Sequence, residues 1–205
     1  MPVPYNPKHA WARAMVYFFA CLLISHFSGA LGQVLGDPLA TAEQLRDPLW
    51  ITLLLASCLV IFTGYFVIWP RGTRTYGRRR NLAVVATFGL LWGICEGLLF
   101  LSIFILCQRV TPSNVIATAV TFAILAVFLG LWHSLYWDIH VAPEHNIPEW
   151  NKRKVLFAHV PNLLVTLTFL AIYNNAAIFV IVQASALVAS TYFMRFPPFW
   201  VRKSA

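Results

Sequence analysis

Apolar residues run along this chain in six long stretches, separated by short polar or basic segments. That alternation predicts helices that cross a bilayer. A membrane-crossing helix needs about 20 mostly apolar residues, and runs of that kind fall at roughly 14–35, 49–69, 82–107, 114–137, 155–173 and 176–194. Ser25, His26 and Gln33 interrupt the first. Only Tyr173, Asn174 and Asn175 separate the last two, which predicts a helical hairpin closed by a tight polar turn. The expected fold is all-α: one polytopic integral membrane bundle of about six transmembrane helices covering 1–205, with no internal repeat and no separate soluble domain.

Composition agrees with the pattern. The chain is 60% hydrophobic and 11% charged, where a soluble domain carries roughly a quarter charged residues. Its four cysteines (Cys21, Cys58, Cys95, Cys107) all lie inside apolar runs without a CxxC spacing, so they read as small apolar residues of helices rather than a disulfide or zinc framework. A formal net charge of +8 would suit nucleic acid, but its distribution points elsewhere. With both termini cytoplasmic, one side receives Lys8, Arg13, Arg71, Arg74, Arg78, Arg79, Arg80, Lys152, Arg153, Lys154, Arg195, Arg202 and Lys203, and the other only Arg46 and Arg109. That split follows the positive-inside rule. The basic segment RGTRTYGRRR then reads as a topology signal touching anionic headgroups, and no nucleic-acid partner is expected. Lys8 and Arg13 precede a run without a convincing cleavage site, so a retained first span is expected. Trp50, Trp69, Trp150 and Trp200 fall near span ends, as an interfacial aromatic belt would. The expected setting is a multi-pass protein of the plasma membrane, or of the inner membrane in a bacterium.

Ionisable groups inside spans are costly and mark candidate sites. Two are expected near mid-membrane, His26 and Glu96. Glu96 lies in GLLWGICEG, where Gly89, Gly93 and Gly97 recur every four residues and would let another helix approach closely, in this chain, in a second copy or in a membrane-complex partner. At about 100° per residue, Glu96 shares a side with Gly89 and Trp92, away from lipid. Spans one and three run in the same direction, so a Glu96–His26 pair is geometrically allowed; Glu96 alternatively serves as a proton donor in an apolar pocket. Span five carries His159, Asn162, Thr166 and Tyr173 on one face, with Pro161 expected to kink it, and Gln183 and Ser190 share a face of span six. These faces serve either as packing contacts or as the lining of a cavity.

The densest chemistry falls in WHSLYWDIHVAPEHNIPEWNKRK, residues 132–154, at the corner between spans four and five. If span four persists past the interface, His133, Tyr136, Trp137 and His140 stack on one side. Pro143 ends that helix, and Asn146 with Glu149 and Pro148 starts the next. His159 would descend beside His133, with Glu144 and His145 above and Asp138 on the far side. Three readings stay open. His133, His140 and His159 hold a transition metal, zinc or iron, or two of them a haem. The same residues with Glu144 act as acid–base and recognition groups for the polar end of a lipid. Or they form an interfacial network balancing Lys152, Arg153 and Lys154. No HExxH, P-loop or other metal or nucleotide motif decides among them.

The function expected from this pattern is a small membrane enzyme acting on a lipophilic molecule that is isoprenoid, sterol-like or fatty. Glu96, His133, His140, His159 and Glu144 would be catalytic, and His26, Trp92, Tyr136, Trp137 and Asn162 would bind substrate. The alternatives are a non-enzymatic subunit, assembly factor or cofactor-binding component of a larger membrane complex, and a proton-coupled transporter using Glu96.

Overall fold

Helix covers almost all of the computed structural model, which describes residues 7–73, 79–132 and 148–195, and the described residues include no strand. Among the described residues, six helices are long and apolar enough to cross a membrane, which fits a multi-pass integral membrane protein. In chain order the elements are α1 (Pro7–Ser28), the short α2 (Ala30–Gly36), α3 (Pro48–Arg71), α4 (Leu82–Val110), α5 (Asn114–Leu131), α6 (starting at Pro148 and ending at Tyr173) and α7 (Ala176–Met194). All except α2 are spans.

Side-chain caps start four of the spans, each filling an amide that the first turn leaves unpaired. Asp47 Oδ1 accepts from Leu49 N at 2.8 Å, Asn81 Oδ1 from Val84 N at 3.2 Å, Ser113 Oγ from Ile116 N at 3.3 Å and Asn175 Oδ1 from Ile178 N at 3.0 Å. The expected first run, 14–35, is instead two helices. Gly29 breaks it with φ at 85°, a left-handed conformation that glycine adopts without strain. Arg109 Nη2 donates to the Ser28 carbonyl at 2.8 Å, closing the end of α1. The α6–α7 hairpin forms as expected, with Asn174 left-handed at φ 49°.

Stretches of π-helix run through Phe62–Ile68 in α3, Val85–Leu90 in α4 and Val155–His159 in α6. Two of them precede a proline. A proline ring collides with the carbonyl four residues back; for Pro70 that is Phe66 and for Pro161 it is Phe157, and both lie in the wide turns. The kink expected at Pro161 thus takes the form of a π-turn just before it.

Helices α4 and α7 occupy the centre, with α1 and α5 against α4, α3 against α6 and α7, and α5 closing on α6. The glycine face of α4 is filled by α7 of the same chain. A Cβ on Gly93 would fall 2.6 Å from Ala184 Cα, one on Gly97 3.2 Å from Val180 Cα and one on Gly89 3.0 Å from Thr191 Cβ. The close approach expected from the small-residue pattern is made within the chain, by α7. Outward surfaces are apolar: Phe19, Phe27, Leu55, Leu59, Leu131 and Leu164 are all exposed, as lipid contact requires. The tryptophans at the ends of α3 do not form an outward belt, because Trp50 and Trp69 are turned inward and buried.

The end of the bundle that carries Gly29 and Asn174 is tied by hydrogen bonds between connections. Tyr173 Oη donates to Asp47 Oδ2 at 2.6 Å, and Asn175 Nδ2 to the Leu39 carbonyl at 2.9 Å. The Tyr173 hydroxyl, helped by the Leu49 amide, holds the Asp47 carboxyl below its ordinary value of 3.8. A carboxylate lowered by folding contributes stability that is present above its unfolded value and is lost as pH falls through the lowered one. Tyr173→Phe is expected to lower the neutral plateau of a stability–pH profile and to flatten its fall below about pH 4, so that parent and variant converge in acid. A profile identical to the parent's would show that the hydroxyl does not act on Asp47.

Candidate functional site

Two apolar clusters fill the bundle, one around Phe18, Tyr65, Trp69, Phe88, Trp92 and Cys95, the other around Leu98, Phe100, Phe104, Leu125, Leu163, Leu167 and Phe179. Polar side chains lie where they meet. Glu96 sits between Cys95 of the first cluster and Leu98 of the second, and Asn162 between Ala158 and Leu163. Glu96, His159, Asn162, Thr166 and Gln183 are all buried. Five helices contribute to this layer once Tyr17 of α1 and Tyr65 of α3 are included.

Its hydrogen bonds fix each group's role. Thr166 Oγ1 donates to the Asn162 carbonyl at 2.7 Å, so it accepts from Gln183 Nε2 at 2.9 Å. Gln183 Oε1 is then the atom facing Asn162, and it accepts from Asn162 Nδ2 at 2.8 Å. That leaves Asn162 Oδ1 buried with no hydrogen bond among the described residues, while the Asn162 side chain lies beside the Tyr65 hydroxyl. Tyr65 Oη and His159 Nδ1 are 2.8 Å apart. One tautomer of His159 accepts the phenolic proton; the other donates Nδ1–H to the phenol and leaves the phenolic proton for another acceptor.

The π-turns create this pair. Tyr65 lies in the α3 turn and His159 in the α6 turn, and the two turns touch at Gly64 and Ala158, where a Cβ on Gly64 would lie 3.0 Å from Ala158 Cα. Trp69 packs against both: its ring is stacked on Tyr65 at 5.4 Å and set edge-on to His159 at 5.3 Å. Lys154 completes the group, its Nζ 4.6 Å above the Trp69 ring and 3.3 Å from Thr73 Oγ1.

Glu96 lies deeper. Its carboxyl group is in electrostatic reach of Tyr17, Cys21 and Tyr65. The Tyr17 hydroxyl, also buried, lies beside the Cys21 thiol. One turn below Glu96, Trp92 meets Tyr17 at 5.5 Å and Trp132 at 5.5 Å, and Tyr17 meets Trp132 at 5.6 Å.

Of the residues expected from sequence, Glu96, Trp92, His159 and Asn162 are gathered in the bundle interior. His26 is not. It is exposed, in edge contact with Phe27 at 5.3 Å, while Ser25 and Ser28 take the inward positions on that turn; the Glu96–His26 pair does not form. His133, Tyr136, Trp137, Asp138, His140, Glu144 and His145 lie outside the described residues. Among those described, no three His, Cys, Asp or Glu side chains converge as metal ligands. His159 meets Tyr65 through Nδ1. Lys154, expected as a solvated topology anchor, is buried at 1% exposure. Tyr65, Tyr17 and Lys154 were not singled out from sequence as site residues. The signal for Tyr65 is the YFVIWP segment, an aromatic pair four apart ahead of a proline.

No protein-family model, curated protein or solved structure matches this chain.

Proposed function

We propose that this chain is an integral-membrane enzyme that performs acid–base chemistry on a lipophilic substrate, isoprenoid, sterol-like or fatty, in the polar layer between the two apolar clusters. The observation that carries the reading is the buried Tyr65–His159 bond, built on two adjoining π-turns. Such turns are uncommon and concentrate at functional sites. A phenol and an imidazole joined at 2.8 Å share one proton between two arrangements. Glu96 supplies a further proton-carrying group, and the Trp92, Tyr17 and Trp132 rings beside it offer faces that stabilise positive charge developing on a substrate. The substrate enters laterally from the bilayer. The charge distribution supports a cytoplasmic placement of the Trp69 end of the bundle, and His133, His140 and Glu144 join the proposal at that end on sequence grounds.

Comparison of extracted membrane lipids from cells producing the parent chain, His159→Ala and Glu96→Gln tests the reading. A lipid species made by the parent and missing in both variants is the expected result. Identical lipid profiles, together with a proton flux in proteoliposomes that Glu96→Gln abolishes, would replace the enzyme with a proton-coupled transporter.

A further inference from the structure

From Lys154 we infer that the molecule held in this layer is an anionic amphiphile, a lipophile ending in a carboxylate or phosphate, and that Lys154 receives the anion. The inference rests on the reading of the polar layer as a substrate site and names the class of substrate.

Three observations carry it. First, the ammonium is enclosed with neutral partners: the Trp69 face at 4.6 Å and Thr73 Oγ1 at 3.3 Å. Thr73 donates its own proton to the Trp69 carbonyl at 2.8 Å, so its oxygen accepts one of the three protons that an ammonium offers. A buried cation requires an anion or a full set of acceptors, and among the described residues neither is present. Asp37, Glu43 and Asp47 belong to the opposite end of the bundle and Glu96 lies in the mid-bundle layer. Glu149 stands five residues before Lys154 in α6, on a different face at about 100° per residue, and Asp138 and Glu144 lie outside the described residues.

Second, the π-turn aligns the charge with the site. Lys154 and His159 are five residues apart, which puts them on different faces of an α-helix. The intervening turn, Val155–His159, closes its hydrogen bonds over five residues, and both side chains meet the same Trp69 ring. An anion at Lys154 therefore sits at the head of a line that continues through His159 and Tyr65.

Third, the approach is charged alike. Arg71, Lys152 and Arg153 are exposed at the same end, with Arg153 held 5.0 Å above the Trp150 ring. Basic side chains at an interface concentrate anionic amphiphiles.

Thermal unfolding of the purified full chain in a neutral detergent, followed by tryptophan fluorescence, tests the inference with matched probes. Oleate is compared with oleyl alcohol, dioleoyl phosphatidic acid with dioleoylglycerol, and inorganic phosphate is added alone. At a hundredfold excess over Kd, oleate or phosphatidic acid is expected to raise the midpoint by about 5–10 °C, with each neutral counterpart well below its anion. A shift from oleate assigns a carboxylate and one from phosphatidic acid a phosphate lipid. Lys154→Met is expected to lose the difference between anion and neutral probe, and Lys152→Met to keep it. Equal shifts from charged and neutral probes, no shift from either anion, or an equal shift from inorganic phosphate would overturn the inference, and these comparisons need only the parent protein. Should they fail while His159→Ala still erases a lipid product, the acid–base reading stands and only the anion assignment falls.

Discussion

Gly93→Leu is expected to prevent assembly of the bundle, and Gly93→Ala to lower its stability by about 3 kcal/mol or more. The cause is local. A Cβ on Gly93 would meet Ala184 Cα at 2.6 Å and the Ala184 carbonyl oxygen at 3.0 Å. Both are backbone atoms of α7, so no side chain is available to rotate away and the two central helices must separate. Separation carries Gln183 away from α4 and opens both apolar clusters, since α4 and α7 contribute to each. Gly130→Ala is the matched control. Nothing lies within 4 Å of a Cβ there, so helix propensity alone acts and the variant is expected to gain up to about 1 kcal/mol. Unfolding in mild detergent reads both. A Gly93→Ala protein as stable as the parent would show that the central helices are not in this contact.

Gln183→Leu is expected to cost about 1–3 kcal/mol, although it adds apolar surface to a membrane protein. Gln183 accepts from Asn162 and donates to Thr166, so its loss strands a buried amide donor and leaves the hydroxyl oxygen without its donor. Interhelical hydrogen bonds in membranes average about 0.6 kcal/mol and reach about 1.7, and stranding a buried polar group adds a penalty of about 1–3. The double variant Asn162→Leu/Gln183→Leu removes donor and acceptor together and should fall short of the summed single losses by about 0.5 kcal/mol or more. Strict additivity would mean that the two amides are not bonded.

The six spans are legible because a bilayer imposes a length on apolar runs, and the caps at Asp47, Asn81, Ser113 and Asn175 each stand at the start of one. The Glu96 side of α4 is legible too, because glycines at four-residue spacing identify the buried face. The remainder of the site was hidden for two reasons. A π-turn shifts the helical phase, so a face drawn with α periodicity separates Lys154 from His159 when both meet Trp69. Lys154 and Trp69 also lie where interfacial anchors are expected, and residue type at a span end does not reveal whether the side chain turns outward. His26 failed for the same lack of directional information: depth matched Glu96, but Ser25 and Ser28 hold the inward positions of its turn. Gln183 was visible as one member of a stripe, and only packing shows that it completes a network with Asn162 and Thr166.

The contact between Gly93 and Ala184 also sets an order of events during synthesis. The two residues are 184 − 93 = 91 positions apart, and at about 5–20 residues per second the ribosome needs on the order of 5–20 s to make the second after the first. During that interval the glycine groove of α4, with Glu96 along it, stands in the membrane without its partner. A newly made chain is thus an open half-bundle, its glycine groove bare until α7 enters and seals it.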